Sequence, residues 1–162
     1  MEFVERIKYA SQHMNELVQD LLQLVQVDLS TGIHFKRDPV DMGELILKVA
    51  DEYAPQASAK GQSLTVEKTA TGPTVCGDAA QIAQVLRNLV GNAIKFTPQG
   101  GKITVSQKVT GQEMSVNVTD TGYGMSASDL PKIFNRFYRV HDDNTGDIEG
   151  NGLGLAIVKS IV

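Results

Sequence analysis

The chain has 162 residues, 41% hydrophobic and 21% charged, enough for one domain with a proper core and a modest appendage. No apolar run approaches the ~18 residues of a membrane span and no charged-then-apolar leader follows Met1, so a cytoplasmic setting is expected. A formal net charge of −4 removes the long-range attraction that nucleic acid or anionic lipid would need, which leaves any phosphate to be bound by local geometry.

Residues 3 to 28 read as a helix, because Phe3, Ile7, Ala10, Met14, Leu17, Leu21 and Leu24 recur alternately four and three apart, as in a heptad seam. Val4, Val18, Leu22 and Val25 widen the stripe, which fits a bundle helix facing several others; an amphipathic helix docked on its own domain has the same periodicity. Ser30, Thr31 and Gly32 place a boundary near residue 30, after which residues 33–36 read as a short strand and Asp38 and Pro39 as a turn. Asp41 is placed to cap a helix running to about Lys60, with Glu44 as the capping-box residue and Gly61 as the stop. Residues 64–68 and 74–76 read as strands, and the apolar run around Cys76, the only cysteine, predicts a buried thiol outside any disulfide or cysteine zinc cage. Asp78 caps a second helix to about Lys95, stopped by Thr97 and Pro98. Residues 102–110 and 113–120 form a hairpin around Gly111 and Gln112. From Thr121 to Gly154 the chain is mostly glycine-rich loop with one short helical stretch around residues 128–137, a length that marks a functional lid. Residues 153–162 resume as an apolar helix, and the order as a whole implies the α+β class, an α/β sandwich with helices on one face of a mixed sheet behind a long N-terminal helix.

Asn88 and Asn92, four apart, share a helix face, with Lys95 beside them a turn later. Oxygen ligands near a cation suit Mg²⁺, which prefers oxygen donors while bridging substrate phosphates; read alone, the pair are also ordinary helix-surface polar residues. Asp120 ends an alternating strand ahead of Gly122 and Gly124, and a carboxylate facing a pocket there can accept from the exocyclic amine of adenine. Asp-Thr-Gly is equally an ordinary turn capped by its aspartate. Residues 150–155, GNGLGL, are a glycine-rich turn opening a helix, whose exposed N–H groups and dipole suit a phosphate, although such a turn can also be a plain loop.

Together DAAQIAQVLRNLVGNAIKFTP (78–98), DTGYG (120–124), FNRFYR (134–139) and GNGLGL (150–155) resemble, in order, the asparagine, first glycine, phenylalanine and second glycine boxes of the histidine kinase catalytic domain in the GHKL ATPase superfamily. The resemblance covers about residues 33–162, and residues 7–28, with MNELVQDLLQL, resemble the second helix of that family's dimerisation hairpin. It implies a Bergerat-type ATP-binding fold, with residues 1–30 as a partial hairpin helix and 31–162 as the catalytic domain, without the family's last strands. ATP and Mg²⁺ are the implied cofactors. Asn92 would ligate Mg²⁺, Asn88 and Lys95 would approach the phosphate chain, and Asp120 would bind the adenine amine. Gly122 and Gly124 would let the backbone pass close to the base, while Gly150, Gly152, Leu153 and Gly154 would cradle phosphates from the lid. Arg136 and Arg139 are candidates to hold the lid or the γ-phosphate, Phe134 and Phe137 to anchor it by burial, and Tyr138 to pack or to stack near the base.

The reaction implied is transfer of the γ-phosphoryl group of ATP to a histidine on the hairpin of a homodimeric kinase, membrane-anchored or not, that serves a response regulator, with no nucleic acid partner. The family's acceptor signature, a histidine followed by an acidic residue and Leu-Arg-Thr-Pro, is formed by none of His13, His34 and His141, so the acceptor is expected outside this sequence. ATP-hydrolysing relatives of the gyrase and MutL type carry a glutamate at the position of Asn88 to activate water. An amide cannot act as that base, which favours transfer over hydrolysis. A non-catalytic binding module is the remaining reading, and the intact Asn92, Asp120 and glycine boxes stand against it. Asn135 departs from the family, which often has an acidic residue there.

Overall fold

A computed structural model describes residues 37–67, 74–140 and 150–162, together with Thr145, Gly146, Ile148 and scattered positions from 4 to 22. Those scattered positions are helical, and Val4, Ile7, Met14, Val18, Leu21 and Leu22 are each more than half exposed. Most of the described stripe is therefore open, with Leu17 half-buried. Phe3, Ala10, Leu24, Val25, the expected strand at 33–36 and Lys68 lie outside the described residues.

The elements run β1 (Asp38–Asp41), α1 (Met42–Ala59), β2 (Ser63–Val66), β3 (Thr74–Gly77), α2 (Ala79–Phe96), β4 (Lys102–Thr110), β5 (Glu113–Asp120) and α3 (Gly154–Ile161). A mixed sheet has the order β2-β4-β5, with β2 parallel to β4 and β4 antiparallel to β5; β1 and β3 form a separate antiparallel pair. Strand alternation puts Ile103 and Val105 on one face, with Leu64, Val66, Val116 and Val118 packed to the same side. Ile46, Val49 and Ala57 of α1 and Leu86, Val90, Ala93 and Ile94 of α2 cover that face, so the helices lie on one side of the sheet as expected. A second cluster, Leu153, Ala156 and Ile157, belongs to α3, which packs on α2. No helix among the described residues is long and apolar enough to cross a membrane.

Local chemistry sets the helix ends. Asp41 Oδ1 accepts from Glu44 N at 3.0 Å, and Asp78 Oδ1 accepts from Ala80 N and Gln81 N at 2.9 and 3.3 Å, each satisfying N–H groups that lack a partner in the first turn. α1 closes with Gly61 N on Ser58 O and Gln62 N on Ala57 O, both 2.9 Å, the paired bonds of a Schellman end. Helix α2 is held to α1 by Arg87, whose Nε and Nη2 donate to the two carboxylate oxygens of Glu52 at 2.8 and 3.1 Å.

Three expectations are corrected. Residues 38–41 form a strand and not a turn, with Pro39 opposite Cys76; in a two-stranded sheet both strands are edges, where a residue without an N–H is tolerated. The same alternation turns Val75 and Gly77 inward and leaves Cys76 exposed, its thiol donating to Arg37 O at 3.6 Å, so the buried-thiol reading fails. Residues 128–137 form successive turns and not a helix, with bonds from Lys132 N to Asp129 O, Asn135 N to Lys132 O and Tyr138 N to Asn135 O. Pro131 has no N–H to continue a helical ladder.

Candidate nucleotide site

Helix α2 carries Asn88 and Asn92 half-buried and Lys95 exposed. Asn88 Nδ2 donates to Gln84 O at 3.1 Å, and Asn88 Oδ1 faces the start of α3, where a Cβ on Gly154 would lie only 2.7 Å away. The bare backbone at Gly154 is what lets α3 seat against Asn88. Leu153 is the N-cap of α3 and makes no side-chain capping bond, so its side chain leaves the first-turn N–H groups uncapped beside Asn88. Its side chain is 1% exposed and packs with Ala156 and Ile157, leaving only its backbone to act on a ligand.

Asp120, expected to face a pocket, is exposed at the end of β5, itself an outer strand. Its Oδ1 accepts from Gly122 N at 2.8 Å, so the turn-capping role is present. The loop after it rests on the last turn of α2: Tyr123 N donates to Phe96 O at 3.2 Å, and a Cβ on Gly122 would come within 2.4 Å of the same oxygen. The sequence thereby places Asp120 and Lys95 at one end of α2. Among the described residues, chain neighbours aside, no atom lies within 4 Å of where a Cβ would stand on Gly124 or Gly150, so both leave backbone surface clear of them for a ligand.

The phenylalanine box is held differently from the reading above. Phe134 and Phe137 are 39% and 62% exposed, and their burial does not anchor the segment. Backbone does: Phe137, at φ +63°, donates its N–H to Gly152 O at 2.9 Å, and a Cβ on Gly152 would lie 2.7 Å from Phe137 C. Gly152 itself has φ +67°, so it is required both by conformation and by the crossing of the two backbones. Arg139 Nη2 donates to Ile148 O at 2.6 Å, which ties the loop to its base, while Arg136 is exposed. Tyr138 packs: its hydroxyl donates to Asp129 Oδ1 at 2.8 Å, and Ser126 Oγ donates to Asp129 Oδ2 at 2.7 Å. Ser126 first, then Tyr138, hold the Asp129 carboxyl below the usual carboxylate range, and that carboxylate raises the Tyr138 phenol.

Two residues outside every motif also reach this end of α2. Gln62, 8% exposed, donates its amide to Ile94 O at 3.0 Å and to Thr97 O, and Lys60 Nζ donates to Ile94 O at 3.0 Å. Only their polar side chains on either side of the helix stop at Gly61 hinted at them. A cleft of about 640 Å³ opens at the opposite end of α2, lined by Asp41, Glu44, Lys48 and Asp78 among others, and includes none of the residues expected to touch nucleotide or metal. His13, His34 and His141 lie outside the described residues.

The uncapped start of α3 and the open backbone at Gly124 and Gly150 fit a phosphate-bearing ligand, and the carboxamide of Asn92 is a hard oxygen donor of the kind Mg²⁺ prefers.

Comparison with known proteins agrees with this geometry. Residues 77–162 match the family described as histidine kinase-, DNA gyrase B-, and HSP90-like ATPase. An uncharacterised sensor-like histidine kinase of Rhizobium meliloti is 32% identical over 160 residues, covering 99% of this chain and 30% of that protein. The sensor histidine kinase WalK of Bacillus subtilis is 34% identical over 156 residues, covering 94% of this chain and 25% of WalK. The chain thus spans about a third or less of these relatives. Among solved structures, full-length ShkA in complex with AMPPNP superposes with TM-score 0.82 at 28% identity, over 99% of this chain and 33% of ShkA. The nucleotide-free catalytic domain of the histidine kinase ThkA does so with TM-score 0.69 at 28% identity, over 78% of this chain and 80% of that one. With its first glycine box resting on the last turn of α2 and its second meeting Asn88 of the same helix, the chain belongs to the histidine kinase-, DNA gyrase B- and HSP90-like ATPase family, as an ATP-binding catalytic domain of the sensor histidine kinase type.

Proposed function

We propose that the chain binds ATP with Mg²⁺ and presents the γ-phosphoryl group to a histidine on the dimerisation hairpin of its full-length kinase. The observation that carries this reading is the meeting of Asn88 with the uncapped start of α3, because it sets an amide, where a hydrolase would need a carboxylate base, beside open backbone N–H groups. Asn88 and Lys95 would hold the phosphate chain, with Gly150, Gly152 and Gly154 offering backbone N–H groups and Arg136 and Arg139 serving the loop or the γ-phosphate. Asp120 would accept from the adenine amine, with Gly122 and Gly124 bringing the backbone close to the base. Asn92 would hold the metal, which when bound neutralises charge developing on the transferred phosphoryl group. The complex of ShkA with AMPPNP supports nucleotide binding by this arrangement.

Residues 1–30 we assign to the second hairpin helix and 31–162 to the catalytic domain. The exposed apolar positions from Val4 to Leu22 support that division, since such a stripe calls for partner helices, as a homodimeric bundle would supply. A cytoplasmic location follows from the use of ATP, and a response regulator would act through the full-length kinase.

The test has two steps. ATP at ~100 times its Kd should stabilise the chain by about 2.7 kcal/mol, a rise in Tm of roughly 5 to 11 °C for this size. Radiolabelled ATP should then leave acid-labile phosphate on an added acceptor hairpin and none on His13, His34 or His141. No thermal shift with ATP or ADP would sink the assignment, and a phosphohistidine on the chain itself would overturn the placement of the acceptor outside it.

A further inference from the structure

Resting on the adenine role proposed for Asp120, we infer that Gln62 is a positioning residue for base recognition. It touches no part of the site directly. Its amide nitrogen lies beneath the last turn of α2, donating to Ile94 O at 3.0 Å and to Thr97 O. Between those two carbonyls stands Phe96, whose own carbonyl accepts from Tyr123 N and backs Gly122 so closely that a Cβ there would be 2.4 Å from it. Gly122 in turn donates its N–H to Asp120 Oδ1 at 2.8 Å. Three contacts in series, joined by backbone, therefore run from the Gln62 amide, through residues 94–97, to the carboxylate.

The amide can act in only one orientation. Turned over, its oxygen would face two carbonyl oxygens, a repulsion in a site where Gln62 is 8% exposed and little water can screen it. The rest of the segment is stitched down alongside: Lys60 Nζ shares Ile94 O, Gly100 N donates to Gly61 O, and Ser63 N donates to Gly101 O, both at 3.0 Å. The crossover from α1 to β2 thus acts as a base plate for the end of α2, and Gln62 is the buried pin in it. Loss of the pin frees the turn on which Gly122 rests, and the carboxylate drifts from the base before the phosphate contacts at Asn88 and α3, two turns away, are affected.

The test uses two nucleotides that differ only in the amine: ATP and purine riboside 5′-triphosphate. Their Kd ratio, measured by calorimetric titration with Mg²⁺, isolates base recognition from phosphate binding and from overall stability. We expect a ratio of about 10 in the unaltered chain, on the scale of a charge-assisted hydrogen bond, and about 2 in Gln62→Met, which keeps the volume but removes both donors. The affinity for the purine riboside compound should change less than ~2-fold. A ratio that stays near 10 in folded Gln62→Met overturns the inference. If that variant does not fold, Lys60→Met removes the exposed donor on the same carbonyl and should lower the ratio to roughly 5; an unchanged ratio there overturns it equally. A ratio near 1 in the unaltered chain would instead refute the adenine role of Asp120, on which this inference depends.

Discussion

Gly154 opens α3, and a methyl group on it would lie 2.7 Å from Asn88 Oδ1 and 3.5 Å from Asn88 Cγ. Gly154→Ala should therefore act on stability and on binding in different ways. Alanine favours a helix over glycine by up to ~1 kcal/mol, less at a first position than inside. The clash is with the end of a side chain, which can swing aside by giving up its bond to Gln84 O, a loss of about 0.5–1.5 kcal/mol. The two effects oppose each other within ~1 kcal/mol, so Tm should move by no more than roughly 2–4 °C. Binding has no such compensation. An amide displaced from a charged phosphate forfeits a hydrogen bond of about 1.5–3 kcal/mol, or ~10- to 100-fold in Kd for ATP. Calorimetric titration of Gly154→Ala, Asn88→Ala and the double variant checks the cause. Asn88 Cβ lies 4.0 Å from the added methyl position, so truncating Asn88 removes the clash, and the double variant should bind no more weakly than Asn88→Ala alone. Losses that add, or a Gly154→Ala variant that binds ATP normally, would show that Gly154 does not act through Asn88.

Asp120→Asn should weaken ATP binding about 10-fold without lowering Tm, because the amide keeps an oxygen for Gly122 N but loses the charge-assisted bond; unchanged affinity in titration would leave Asp120 its turn role alone. Asn92→Ala should reduce the affinity measured with Mg²⁺ to the level measured in chelator, and a persisting response to Mg²⁺ would remove Asn92 as the ligand. The hydrogen bond from Arg87 holds the Glu52 carboxyl below its ordinary value, so the bridge stabilises fully above about pH 4.3 and loses its effect as pH falls through the depressed folded value. The Tm difference between the unaltered chain and Glu52→Gln should be constant from about pH 6 to 8 and close below about pH 4; a gap that widens in acid would contradict the sign.

Most of the fold was legible because its signals are local. Asp41 and Asp78 cap the helices foreseen for them, Gly61 ends α1, and β4 and β5 turn at Gly111 and Gln112, since caps and two-residue turns are settled by neighbours in sequence. The four boxes were legible as sequence patterns for the same reason. One failure was local, since Pro131 interrupts the helix expected at 128–137, but the others depended on partners far along the chain: Asp38–Asp41 became a strand only because Thr74–Gly77 lies beside it, and that pairing turned Cys76 outward. Phe134 and Phe137 look like anchors by composition, but whether a side chain is covered depends on what passes over it, and here the backbone of Gly152 makes the anchoring contact. Asp120 likewise kept its place in sequence and is exposed where a covered carboxylate was expected, because cover over a strand end is set by what packs on it and not by the strand's own pattern. The sequence by itself determined the elements, their caps and the family, all encoded over a few residues at a time. Only the tertiary structure decided that Asn88 meets Gly154 and that Gln62 lies under Ile94 and Thr97, because contacts 66 and some 30 residues apart in sequence arise from packing, and no local pattern records them.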